Sequence, residues 1–200
     1  MPVESAIRPA FADAVRDSQA VFRLAMDAMA SPGRVQTLAS QLSLPAPLFA
    51  PTAALLLTLC DFETPLWLDP PLADSAEVSA FLRFHTGARL VALPADAAFA
   101  AIADGAHMPA LSAFAQGSPD YPDRSAILIV QVETLVAGGW RLEGPGIRGI
   151  SRLSAAPLLE DFAAQLRLNR STFPRGVDIF LAKRTALAAL PRSVRLTEAA

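Results

Sequence analysis

The sequence predicts a single layered α/β domain with a mixed central sheet flanked by helices. Three observations predict it. Residues 126–132, Ala-Ile-Leu-Ile-Val-Gln-Val, form a nearly continuous apolar run rich in β-branched side chains, the pattern of a strand buried on both faces. Segments of helical periodicity alternate with short strand patterns along the whole chain, as layered α/β architectures require. No repeat, low-complexity tract or long linker divides the 200 residues, so one domain spans 1–200, with 197–200 expected to fray.

In chain order, Phe11, Val15, Phe22, Met26 and Met29 recur at helical spacing among charged residues and stop at the turn signal Ser31-Pro32-Gly33. Residues 34–38 alternate as a short strand. Residues 52–61 read as a helix that is apolar nearly all round, hence buried. Pro65–Leu68 is a short strand. Asp74, with Glu77 three residues on, reads as a capping box for a helix carrying Val78, Phe81, Leu82 and Phe84 and ending near Gly87. Residues 89–93 and 98–102 are weaker strands, and 109–115 a short helix ended by Gly117. After the central strand, Gly138-Gly139 is expected to reverse the chain into a hairpin with residues 140–143. Ser154 and Pro157 mark the expected start of a helix running to about Asn169. Residues 177–183 and 186–190 are two last strands, split by Arg184-Thr185.

Composition excludes several classes. Net charge is −2 and the pI is near 5.7, against a general nucleic-acid binder, which needs a basic surface. A lone cysteine, Cys60, permits no internal disulfide. The N-terminus lacks the basic and apolar regions of a signal peptide. The long uncharged stretch 35–60 contains Pro45, Pro47 and Pro51 among polar residues, which would break a membrane helix of about 20 residues. The expectation is a cytoplasmic protein without membrane or nucleic-acid partners.

The chemical motifs are sparse. His85, His107 and Cys60 show no metal-ligand spacing, and Cys60 reads as a small core hydrophobe. A Gly-x-Ser-x-Gly elbow is absent. Gly144-Pro145-Gly146-Ile147-Arg148-Gly149 fits Gly-x-Gly-x-x-Gly, but the next helix starts too late for a dinucleotide site, so a glycine-rich turn is the better reading. Lys183, the single lysine, reads as a solvated strand end rather than a Schiff-base residue. Two polar clusters remain as candidate ligand or interface residues. Arg83, His85 and Thr86 sit where a helix ends, and the cations there complement the helix dipole or meet an anion or partner chain. Arg175 and Asp178 flank Gly176 at the entry to a strand. Asp178 needs a partner if buried, supplied by Arg175 or by a distant arginine.

Several segments taken together resemble the PhnH family of the bacterial carbon–phosphorus lyase machinery. They are Phe22-Arg23 with Met29-Ala30-Ser31-Pro32-Gly33, and Leu55-Leu56-Leu57-Thr58-Leu59-Cys60-Asp61 with Glu63-Thr64-Pro65-Leu66-Trp67-Leu68. Leu82-Arg83-Phe84-His85-Thr86-Gly87 and Gly117-Ser118 with Tyr121-Pro122-Asp123 follow. Leu142-Glu143-Gly144-Pro145-Gly146-Ile147, Phe173-Pro174-Arg175-Gly176-Val177-Asp178 and Leu190-Pro191-Arg192 complete the set. None is diagnostic alone; their order and spacing make the match. The resemblance implies an α/β fold similar to pyridoxal-phosphate-dependent transferases but without the cofactor site, and no metal. It implies a homodimer that joins PhnG, PhnI and PhnJ in a core complex, with PhnL associated. That system transfers a phosphonate to the ribose of ATP, a substrate of the complex, with release of adenine. The resemblance carries no catalytic residue onto this chain. It therefore implies an accessory, non-catalytic subunit, for which the apolar composition (52% hydrophobic, mean hydropathy +0.36) is modest physical support. Two alternatives are an independent binder of an anionic phosphonate or nucleotide, using Arg83, His85 or Arg175, and a purely self-associating protein.

Overall fold

The structure is a computed structural model that describes residues 10–39 and 42–197. Of the fraying expected at 197–200, Thr197 instead belongs to a strand, while 198–200 and the N-terminal reading fall outside the described residues. The elements, in chain order, are α1 (Ala14–Ala30), β1 (Gln36–Thr37), α2 (Ala50–Leu59), β2 (Pro65–Leu68), α3 (Pro70–Ala73), α4 (Ala76–Thr86), β3 (Arg89–Leu90), β4 (Phe99–Ile102), β5 (Ile127–Gln131), β6 (Thr134–Glu143), β7 (Ser151–Ala156), α5 (Phe162–Ser171), β8 (Asp178–Lys183), β9 (Ala186–Leu190) and β10 (Arg195–Thr197). A seven-stranded sheet has the order β1-β9-β8-β5-β4-β2-β3, and a second sheet the order β10-β6-β7.

The run at 126–132 is the central strand the composition demanded. β5 lies between β4 and β8, parallel to both. Its side chains divide between two cores, as the two-residue period of a strand requires. Ile129, with Leu66, Leu68, Ala101 and Phe180, faces a cluster that includes residues of α1, α2 and α4. Leu128 and Val130, with Ala100, Ile102, Ile179 and Leu181, face a second cluster that includes Phe162 and Leu166 of α5 and Leu135, Leu142 and Leu153 of the small sheet. β9 and β1 join antiparallel at one edge, so the large sheet is mixed, as expected.

Five expectations need correction. The cap of α4 is Ser75, whose hydroxyl accepts from the Val78 N–H, not Asp74. Asp74 instead ends the short helix α3, which Asp69 caps. Gly138-Gly139 does not reverse the chain. Both glycines take positive φ, and the β6–β7 register shifts between Val136 and Trp140, so they form a bulge inside one long strand. The reversal comes later, at the Gly144–Gly149 segment joining β6 to β7. Ser154 lies within β7, and the helix starts only at Phe162. Finally, the apolar stripe that marks α1 points outward: Val21, Ala25 and Ala28 are buried, while Val15, Phe22 and Met26 are 66%, 50% and 55% exposed. Small side chains on the inner face let α1 pack close to α2, with Leu24 and Met29 partly buried against the same core and Val15, Phe22 and Met26 left outside. The expected helix at 109–115 is reduced to a 3₁₀ turn at Leu111–Ala113.

The path of the chain sets a topological switch. β3 lies to one side of β2, and the chain then returns to place β4, β5 and β8 on the other. In parallel sheets, ligands favour the crevice at the carboxyl ends of the strands flanking such a switch. Here that crevice holds the chain's own carboxylate. Asp69, at the end of β2 and 2% exposed, accepts N–H bonds from Ala103 (2.7 Å) and Asp104 (2.9 Å) beyond β4, and from Leu72 (3.4 Å) in α3. Burial raises its pKa, and the N–H bonds from Asp104, Ala103 and Leu72 pull it back. Because the folded pKa lies above the unfolded one, the buried charge costs stability at neutral pH. That cost disappears as pH falls through the folded value towards the unfolded value. Replacing the side chain is nevertheless destabilising, because three backbone donors lose their acceptor. Asp69→Ala is expected to cost roughly 2–4 kcal/mol in urea unfolding. Asp69→Asn, which keeps one oxygen for Ala103 and Asp104, should cost less than half of that and lose the acid-dependent component.

Candidate functional site

The candidate residues lie at the opposite, amino-terminal edge of the parallel strands. α4 delivers Arg83, His85 and Thr86 just before β3. Gly87 closes the helix in the left-handed conformation (φ 69°), its N–H donating to the Arg83 carbonyl at 3.0 Å. The Thr86 hydroxyl donates to the Leu82 carbonyl (2.7 Å) and accepts from the Ala88 N–H (3.0 Å), so it is spent on finishing the helix. The His85 ring packs between those of Phe81 and Phe84, with centroids 4.6 and 5.0 Å away. Arg83 is exposed.

Arg175 and Asp178 sit at the start of β8. Arg175 is exposed, and its N–H donates to the Thr172 carbonyl at 3.0 Å. It is not the partner of Asp178. That partner is Arg192, fourteen residues on, whose Nε donates to both carboxylate oxygens (3.1 and 3.2 Å) and whose Nη2 lies 2.5 Å from Oδ2. The Arg192 N–H also donates to Oδ1 at 2.8 Å, and Nη1 donates to the Pro122 carbonyl at 2.6 Å. One ion pair thus ties together the segments around Tyr121-Pro122-Asp123, Pro174–Asp178 and Leu190-Pro191-Arg192. Gly176 completes the knot: its φ is +115°, and a Cβ there would fall 2.7 Å from Asn169 Oδ1. Asn169 needs that space, because its amide pairs with both the N–H (2.8 Å) and the C=O (2.9 Å) of Val177.

The two candidate clusters do not meet. β3 and β8 are separated by β2, β4 and β5, four strand spacings or about 19 Å. No single ligand site gathers Arg83, His85 and Thr86 with Arg175 and Asp178. Cys60, the buried residue that ends α2, has its thiol pushed up to about 12 by burial and, secondarily, by Asp61, which leaves it inert as a nucleophile. Lys183 ends β8 at the carboxyl edge. His107 meets Asp104 at 2.7 Å on the exposed turn after β4.

The arrangement at the Asp178–Arg192 knot therefore locks strand entries and chain crossings rather than presenting a reactive group. Comparison with known proteins agrees with the spread of these segments along the chain. Residues 9–197 match the family described as "Bacterial phosphonate metabolism protein (PhnH)". This chain belongs to the PhnH family. It is 40% identical over 188 residues, 94% of each chain, to the alpha-D-ribose 1-methylphosphonate 5-triphosphate synthase subunit PhnH of Rhizobium meliloti (strain 1021). Within this PhnH-family fold, the groups that sequence reasoning singled out as Arg83, His85, Thr86, Arg175 and Asp178 are set at helix ends and strand entries.

Sequence reasoning missed Arg192 as a specific partner. Its signal was the pairing of one partly apolar strand's Asp with an arginine directly after an antiparallel strand, a register that emerges only once β8 and β9 pair. Both side chains are largely buried, so removing one leaves the other charge stranded. Arg192→Leu should lower stability by about 3–5 kcal/mol in denaturant unfolding. In a double-mutant cycle with Asp178→Leu, the loss of the second side chain should cost much less than the first.

Proposed function

We propose that this chain is the PhnH subunit of an alpha-D-ribose 1-methylphosphonate 5-triphosphate synthase and serves phosphonate metabolism as an accessory, non-catalytic component. In this reading it forms a homodimer and joins PhnG, PhnI and PhnJ, with PhnL associated, in a complex that uses ATP as substrate. The chain itself carries neither pyridoxal phosphate nor metal, and its likeness to pyridoxal-phosphate-dependent transferases extends only to the fold. The family membership and the 40% identity over 94% of the chain support the assignment.

The observation that carries the subunit role is the outer face of α1. Val15, Phe22 and Met26, at i, i+7 and i+11, form one apolar stripe with at least half of each side chain in water. A lasting interface of some 800 Å² per partner is built around such bulky apolar anchors. Two amino-edge candidates, Thr86 and Asp178, support the same role, since their hydrogen bonds hold the fold together. None of the described helices is long and apolar enough to cross a membrane.

Co-expression of the tagged chain with PhnG, PhnI and PhnJ tests the assignment. All four chains should be recovered in fixed stoichiometry, with the mass of a larger assembly in size-exclusion chromatography. A clean homodimer free of the other chains would overturn the stable-subunit reading. Phe22→Glu with Met26→Glu should abolish an association made through α1 while changing the melting temperature little, because both side chains already face water.

A further inference from the structure

A groove that shares no residue with the two candidate clusters at the amino edge is lined by three arginines. It has a volume of about 850 Å³ and runs between the turn after α1 and the β6–β7 hairpin. Arg34 contributes from the turn, Arg148 from the glycine-rich hairpin loop, and Arg152 from β7. Among the described residues, no carboxylate lines it. All three arginines are exposed, and none makes a side-chain hydrogen bond or ion pair with another described residue.

Two features show that the groove is built and not incidental. The walls are locked by close backbone approaches. A Cβ at Gly146 would fall 2.1 Å from the Ala30 carbonyl oxygen, and one at Gly33 would fall 2.5 Å from Leu142 Cδ1. The Gly33 N–H also donates to the Ala189 carbonyl at 3.0 Å, fixing the turn to β9. These contacts bring Ser31-Pro32-Gly33 against the Gly144–Gly149 loop, so two segments that carry the family resemblance form opposite walls. The charge pattern is also unfavourable without a ligand. Arg152 stands directly opposite Arg141 across the β6–β7 pair, an arrangement that destabilises a sheet. Glu143 neutralises Arg141, with Nε and Nη2 each 3.0 Å from Oε1, and nothing does the same for Arg152.

We propose that this groove binds the polyphosphate chain of a phosphorylated small molecule. Guanidinium groups recognise phosphoryl oxygens through paired N–H donors. Three of them, on three separate elements, suit a chain of phosphates better than one tetrahedral group. The volume fits a ligand of nucleotide size and exceeds what a small phosphonate fills. Val35, Val136, Ile147 and Ile150 give the same groove an apolar wall for an uncharged portion of that ligand. The inference extends the subunit assignment, and direct binding to the isolated full-length chain succeeds or fails independently of whether partner chains co-purify.

Titration calorimetry with inorganic tripolyphosphate, and in parallel with methylphosphonate, tests it. Tripolyphosphate should bind with an affinity that falls as salt rises, and methylphosphonate at least tenfold more weakly. Arg34→Gln, Arg148→Gln and Arg152→Gln should each weaken tripolyphosphate about tenfold, the loss expected for one charge-assisted contact. Arg195→Gln, in β10, should leave it unchanged. Without ligand, Arg152→Gln should melt no lower than the wild type, since the exposed Arg152 side chain makes no hydrogen bond or ion pair with a described residue that the change would remove. Saturating tripolyphosphate should then raise the melting temperature of the wild type more than that of the variant. Absence of tripolyphosphate binding, equal affinity for methylphosphonate, an equal loss in Arg195→Gln, or a lower ligand-free melting temperature for Arg152→Gln would each overturn the proposal.

Discussion

A strand that is parallel to both neighbours must be dry on both faces, and β5 imposes that condition on the whole molecule. Its alternate side chains, Ile129 on one side and Leu128 and Val130 on the other, each need a covering layer. On one face helices α1, α2 and α4 supply it. On the other face α5 is joined by Met108, Leu111 and Phe114 of the segment between β4 and β5, and by the small sheet of β10, β6 and β7. The unusual length of β6 follows from this need. It must reach across the sheet and still pair with β7 and β10, and the Gly138-Gly139 bulge bends it without ending it.

The same condition decides where polar groups can go. Parallel strands leave backbone donors and acceptors at their ends, and this chain satisfies them largely from within. Asp69 takes the donors at the carboxyl edge beside the switch. Gln131, at the end of β5, accepts from the Phe49 N–H (2.7 Å) and donates to the Pro47 carbonyl (2.9 Å). Asp178 with Arg192, and Asn169 with Val177, do the corresponding work at the amino edge. An α/β fold whose switch crevice is closed by its own carboxylate has lost the customary place for a ligand.

Local patterns were legible wherever one interaction type decides the outcome. The apolar run of β5, the Pro65–Leu68 strand, the all-apolar α2 and the β8–β9 pair could be read because burial alone fixes them. Features set by competition between neighbours were not. Asp74 and Ser75 are both good caps, and the choice fell to Ser75 because Asp74 was needed to end α3, a helix of four residues too short to leave a periodicity. Two adjacent glycines suit a turn and a bulge equally, and only cross-strand register distinguishes them. The stripe of α1 was read correctly as helical, but periodicity does not say which face turns inward. Ala25 and Ala28 took the inner face because close packing against α2 favours small side chains over large ones. Among the candidate site residues, the need of Asp178 for an arginine was legible, but the identity of that arginine depends on strand pairing.

What the fold leaves unspent is informative for the same reason. The polar groups at the strand ends are matched by Asp69, Gln131, Asn169 and the Asp178–Arg192 pair, and the surface groups left in unfavourable arrangements stand out against them. Val15, Phe22 and Met26 expose apolar area on α1, and Arg34, beyond its C-terminal turn, joins Arg148 and Arg152 around a groove without a counter-charge. The last turn of α1 carries no basic residue of its own, so the partial negative charge at that helix end attracts cations. Arg34 is the first cation in the chain beyond that helix end. Arg148 and Arg152 lie on the other wall, and Arg152 faces a fourth arginine across the strand pair. Dipole compensation thus offers a structural role to the first arginine and leaves the other two without one, and that surplus is what the proposed polyphosphate would neutralise.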